Sequence, residues 1–209
     1  VFNQQVTTNT DTGIYHSLSA DQIYIDGCRG LEHRTAALDT IDFTPGERVL
    51  DVGCNMGLLG HYLHDRGCSV TGIDMDEKII TGAKMVANIL GKDIRFRYHD
   101  VDNTRIEEQY DTVCLFSVIH HVANFDQVTA NIADKCSRII LECRLHEIGS
   151  KPIQGRWHRS SGWRFSNSHE LIDYLEKVFT GFKFHKHHGN VDRHREIMTF
   201  VKEPALVTG

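Results

Sequence analysis

Between Arg48 and Cys143 short apolar runs alternate with helical periodicities, and that alternation leaves few architectures open. RVLDV (48–52), SVTGID (69–74), IRFRYH (94–99), DTVCLFSV (111–118) and RIILEC (138–143) read as buried strands, each short and bounded by turn residues. Helical segments separate them. One runs from Gly57 to Arg66 and is ended by Gly67; a second is capped by Asp76 and stopped by Gly91; a third spans Phe125 to Lys135. Strands joined by helices form right-handed crossovers, which give a parallel sheet covered on both faces. Asn167 with Glu170 makes a capping pair for a helix through Val178, and FKFHKH (182–187) and REIMTFVKE (195–203) then close the chain as two strands separated by HGNVDRH. The expected fold is α/β: a three-layer sandwich around a mostly parallel seven-stranded sheet, with an antiparallel C-terminal hairpin strand.

The flanking segments are less regular. Residues 1–27 are polar and show no firm period, at most a short helix, whereas Leu31, Thr35, Leu38 and Ile41 recur at helical spacing. The predicted organisation is an arm and helix over 1–45, covering the site, and a main domain over 46–209 with a lid-like insertion at about 144–167. Its 209 residues suffice for one α/β domain. No run of 18 apolar residues exists to span a membrane, and VFNQQVTTNTDTG shows no signal peptide, although the missing initial Met suggests a trimmed chain. The six cysteines form no CxxC pair, so a reducing cytoplasm is expected. Net charge is −5, which argues against broad nucleic-acid binding, yet residues 144–202 hold 11 Lys/Arg against 6 Asp/Glu. That basic stretch is either a solvated face or the neighbourhood of an anionic substrate.

The chemistry concentrates in Val49-Leu50-Asp51-Val52-Gly53-Cys54-Asn55-Met56-Gly57, an apolar strand entering a glycine turn before a helix. Glycine permits close approach of backbone to ligand. Asp51, at the strand end, would repel a pyrophosphate but suits a cation bearing an amino group. A dinucleotide fingerprint reads GxGxxG, whereas this run is Gly53-x-x-x-Gly57-x-x-Gly60. A carboxylate between a buried strand and a glycine turn also costs free energy unless something pairs with it.

DVGCNMG resembles the first motif of class I S-adenosylmethionine-dependent methyltransferases, in the subset reading DxGCNxG. Asn55 stands where the family usually has its middle glycine; asparagine is the non-glycine residue best suited to the left-handed region. The resemblance covers about residues 46–145 and implies a Rossmann-like fold with S-adenosylmethionine as cofactor and S-adenosylhomocysteine as product. It implies cofactor contacts from Asp51, Gly53, Cys54, Asn55 and Gly57. Asp74 would take the ribose hydroxyls, Met75 would pack on adenine, Asp100 and Val101 would grip the adenine edge, and Phe116 and Ser117 would wall the methionine moiety. Taken singly, Asp74 and Asp76 read equally as turn and cap residues, and Asp100 as a loop carboxylate.

For the acceptor side, His120-His121 follows the fourth strand and supplies a candidate base or acceptor-binding group. One buried histidine and one loop cap is the plainer reading. Tyr15, His16, Arg144, Trp157 and His158 are candidate substrate contacts, the last three in or beside GRWHRSSGWRF, which otherwise reads as a surface loop anchored by tryptophans. Glu142 at the end of strand five is either an acceptor contact or half of an exposed ion pair, and Arg29 and Arg34 could reach a cofactor carboxylate. The histidines of HKHHGNVDRH read as surface residues, so no metal is expected. These features favour methyl transfer to a small molecule, anionic or sugar-containing. Open alternatives are an RNA methyltransferase, since IYHSL…IDG…R…R is faintly like enzymes acting on tRNA wobble uridine, a nicotinamide-dependent oxidoreductase, and a non-catalytic binding module.

Overall fold

The structure is a computed structural model that describes residues 18–20, 23–25, 32–145, 165, 167–192 and 195–204. Its seven main strands form a mixed, mostly parallel sheet with helices between them. The chain divides into two compact units, Val1–His99 and Asp100–Gly209.

The first unit contains β1 (Leu18–Ala20), β2 (Ile23–Ile25), α1 (Glu32–Leu38), β3 (Arg48–Val52), α2 (Leu58–His64), β4 (Ser69–Asp74), α3 (Glu77–Ile89) and β5 (Arg95–Tyr98). Strand β4 lies between β3 and β5 and pairs in parallel with both, so Asp51, Gly72 and Phe96 stand side by side. The Phe96 ring packs against Gly57, Gly60 and Gly72, which have no side chain to obstruct it. Asp76 caps α3 through hydrogen bonds that its Oδ1 accepts from the Lys78 and Ile79 amides at 2.8 and 3.3 Å. Of the N-terminal residues 1–27, those described form β1 and β2, which pair antiparallel with Leu18 opposite Ile25; the rest of that stretch lies outside the described residues. The β-branched and aromatic run Ile23-Tyr24-Ile25 favours extended backbone over helix.

The second unit contains β6 (Thr112–Phe116), a 3-10 turn at Ile119–His121, α4 (Phe125–Lys135), β7 (Arg138–Arg144), α5 (Ser168–Val178), β8 (Phe182–Asp192) and β9 (Arg195–Lys202). Strand β7 runs parallel to β6, and β9 lies antiparallel between β7 and β8. The last strand of the sequence is therefore interior, with Ile197, Met198 and Phe200 fully buried. Asn167 caps α5 by accepting the Glu170 amide at 3.0 Å. Strand β8 is longer than its sequence suggests, because His188–Asp192, read as loop, continues to pair with β9 through register shifts at Phe184/Lys186, His187/Gly189 and Asn190/Asp192. Such bulges let a polar strand follow a regular partner. Among the described residues no helix is long and apolar enough to cross a membrane.

Candidate functional site

At the carboxyl end of β3 the chain makes a bend in which Gly53, Asn55 and Gly57 all take positive φ, at 69°, 49° and 81°. Every amide from 53 to 57 already has an acceptor. The Gly53 and Cys54 amides donate to the Ile73 carbonyl at 2.8 and 3.0 Å, and the Gly57 amide to the Cys54 carbonyl at 2.9 Å. The Asn55 amide donates to Asp74 Oδ2 at 3.0 Å and the Met56 amide to Asn55 Oδ1 at 2.8 Å. The bend thus has no spare donor at these positions for a phosphate, although phosphate-binding glycine loops depend on such donors.

The polar groups beneath it are acidic. Asp51 is 2% exposed, and its Oδ2 has no hydrogen-bond partner among the described residues. Burial first, and the Asp74 carboxylate second, push Asp51 up from the usual 3.8 to about 8, against the pull of the Arg34 guanidinium. Arg34, on α1, is itself only 6% exposed. Asp74 is also held above its ordinary value by burial, opposed by the amides of Asn55, Asp76 and Met75 that donate to it. Met75 follows with 54% of its surface exposed. The Cys54 thiol is buried and driven upward by burial and both carboxylates, so it stays protonated.

In the second unit, Asp100 closes its own turn: Oδ1 accepts the Asp102 amide at 3.0 Å and Oδ2 the Asn103 side-chain amide at 2.8 Å. Val101 lies in that turn. Ser117, just past Phe116 at the end of β6, has φ of +57° and its hydroxyl donates to Glu142. His120 is buried in the following 3-10 turn, with its ring centroid 4.2 Å from that of His121.

A methyltransferase-domain family model matches residues 49–138, the stretch that holds the bend and strands β3 to β6. Over this stretch the chain is similar to methyltransferase domains, and its fold is that of class I S-adenosylmethionine-dependent methyltransferases. The ubiquinone biosynthesis O-methyltransferase of Dechloromonas aromatica is 30% identical over 143 residues, covering 59% of this chain and 60% of the relative. That of Coxiella burnetii is 34% identical over 89 residues, 42% of this chain and 38% of the relative, so the chain spans less than two thirds of either. The fold is similar to magnesium protoporphyrin IX methyltransferase from Synechocystis PCC 6803, solved with bound S-adenosylmethionine (TM-score 0.58, 22% identity, covering 76% of this chain and 71% of that one). It is also similar to a TehB-like S-adenosylmethionine-dependent methyltransferase from Corynebacterium glutamicum (TM-score 0.59, 20% identity, covering 82% and 87%).

Of the positions singled out from sequence, the first unit gathers Asp51, Gly53, Cys54, Asn55, Gly57, Asp74 and Met75 around one bend. Tyr15, His16, Arg29, Trp157 and His158 lie outside the described residues. Arg144 is the last residue of β7, opposite Arg195. Glu142 is not half of an exposed pair: it is fully buried, with Arg195 Nη1 at 3.4 Å. The 53-residue separation hides this pair from any local reading. Asp102 also escaped notice, being a loop aspartate without a motif, yet its Oδ1 accepts both the Ala123 and Asn124 amides at 2.8 Å. Among the described residues no group of histidines, cysteines and carboxylates is placed to hold a metal.

Proposed function

We propose that this methyltransferase transfers the methyl group of S-adenosylmethionine to a hydroxyl oxygen of a small molecule, of anionic or sugar-containing type. The observation that carries the cofactor half is Asp51, a buried carboxylate with an unpartnered oxygen below a bend whose amides are already engaged. Such a site repels a pyrophosphate and favours an ammonium group. The buried guanidinium of Arg34, whose field reaches Asp51, supplies the opposite charge for a ligand whose amino-acid end is a zwitterion. In this reading Asp74 accepts the ribose hydroxyls with lone pairs left over from its three amide contacts. In the first unit Met75 packs against adenine; for the second unit the resemblance implies adenine contacts from Asp100 and Val101 and methionine contacts from Phe116 and Ser117.

The sulfonium of the bound cofactor supplies an electrophilic methyl. The protein's share is to hold the acceptor oxygen in line and to remove its proton, and most of the rate comes from that alignment. His120 or His121 serves as the base, histidine being the side chain best matched to the task near neutrality. An oxygen acceptor is supported by the relatives' name, ubiquinone biosynthesis O-methyltransferase. Calorimetry should show binding of S-adenosylhomocysteine and none of NAD; the reverse would overturn the cofactor assignment. Radiolabelled donor incubated with metabolite extracts should then yield a labelled small molecule. Label found only in RNA would replace the acceptor class, and full turnover across pH in both the His120→Ala and His121→Ala variants would remove the histidines from the chemistry.

A further inference from the structure

Segment Ser117–Asn124 lies wholly within the second unit, at the carboxyl edge of a parallel strand, where open α/β sheets bind their ligands. Ile119, His120 and Val122 within it are buried, and its own hydrogen-bonded structure is short. Its 3-10 turn is three residues long, and within it the His121 amide donates to the Val118 carbonyl at 2.8 Å. One isolated turn of this kind is not self-supporting. Both ends, however, are tied to buried carboxylates.

At the first end, Ser117 sits in the left-handed region at φ +57°, a conformation an L-residue keeps only when its surroundings dictate it. Its amide donates to the Glu142 carbonyl at 3.2 Å and its hydroxyl to Glu142 Oε1. The same oxygen accepts Arg195 Nη1 at 3.4 Å, and both charged groups are buried. Buried ion pairs rarely add net stability over apolar residues of like volume, so this one is better explained by the conformation it fixes. At the second end, Asp102 Oδ1 accepts the Ala123 and Asn124 amides, and the Asn124 side chain donates back to the Asp102 carbonyl at 2.9 Å. His120 and His121 lie between the two anchors.

We propose that Glu142 and Asp102 are positioning residues that clamp Ser117–Asn124 at its two ends and present the His120–His121 pair in one fixed conformation. What the histidines then do rests on the methyl-transfer reading; the clamp itself does not, and it is tested on the ligand-free full chain. Amide hydrogen exchange over 117–124 and the imidazole proton resonances of His120 and His121 are followed by NMR, beside the global unfolding midpoint. Asp102→Ala should speed exchange in this segment about tenfold or more and move both imidazole resonances toward those of free histidine. Asp102→Asn, which keeps an acceptor oxygen, should restore most of the wild-type spectrum. Ser117→Gly loses the hydroxyl but tolerates the positive φ, so it folds even if Asp102→Ala does not, and it should loosen the Glu142 end alone. Unchanged exchange and resonances in Ser117→Gly and Asp102→Ala would overturn the clamp, as would faster exchange spread evenly over the chain, which marks plain loss of stability. Calorimetry of the wild type with S-adenosylhomocysteine separately tests the methyl-transfer reading, so the two failures are distinguishable.

Discussion

Asp51 is a carboxyl group whose ionisation the fold opposes and whose charge a cationic ligand would reward. Because its pKa is raised from 3.8 to about 8, the folded chain keeps a proton that the unfolded chain releases throughout that interval. Below 3.8 both forms are protonated and the fold bears no penalty; as pH rises through the window stability falls, and it levels off above about 8. Denaturant midpoints of the ligand-free protein across pH should show this decline, and Asp51→Asn should flatten most of it. Asp74, raised in the same direction by its own burial, leaves a smaller residual slope. Ligand affinity runs the other way. An ammonium group pairs with ionised Asp51, so binding below about pH 8 expels a proton and affinity climbs with pH, approaching about tenfold per unit. Calorimetry with S-adenosylhomocysteine in buffers of differing ionisation heat reads that proton directly. A wild-type affinity that stays level with pH, with no proton released, would show that Asp51 does not meet the ammonium.

Between strand and helix the bend depends on missing atoms. A Cβ on Gly57 would lie 2.3 Å from the Phe96 ring, at a φ of +81° that side chains rarely adopt. Overpacking and left-handed strain add, so Gly57→Ala should cost ~2–4 kcal/mol. Phe96→Leu should recover part of the packing share but none of the conformational share, and a double-mutant cycle in urea separates them; strict additivity would mean that the ring is not the obstacle. The same element shows what sequence can and cannot reveal. The bend, the strand before it and the caps at Asp76 and Asn167 were legible because each is a local pattern of glycine, apolar run or side-chain oxygen. Strand β8 beyond His187 was not, since HGNVD is polar and only its pairing with β9 makes it a strand. Glu142 and Asp102 were missed as anchors for a related reason: their partners are brought near by topology, not by spacing in the chain.

In the larger frame of the sheet, chain order and packing order disagree among β7, β8 and β9. Strand β9 follows β8 in the chain, yet it is the strand between β7 and β8, paired with seven residues of β7 from Arg138 to Arg144. It also brings Arg195 to the buried Glu142 carboxylate. Burying Ile197, Met198 and Phe200 contributes roughly 1.5–3 kcal/mol each, a sum comparable with the whole stability of an ordinary domain. The second unit therefore has no stable form until its final strand arrives, and until then β7 presents an open edge that invites pairing with other chains. A chain ending at Asp192 should lose the cooperative unfolding transition of this unit and aggregate, whereas the first unit, whose β3, β4 and β5 pair among themselves, should keep protected amides. A synthetic peptide spanning 193–204, added in trans, should restore near-UV circular dichroism by supplying the missing strand together with the Arg195 charge. If the shortened chain instead unfolds cooperatively at the wild-type midpoint, β9 is dispensable and the second unit is built on β6 and β7 alone.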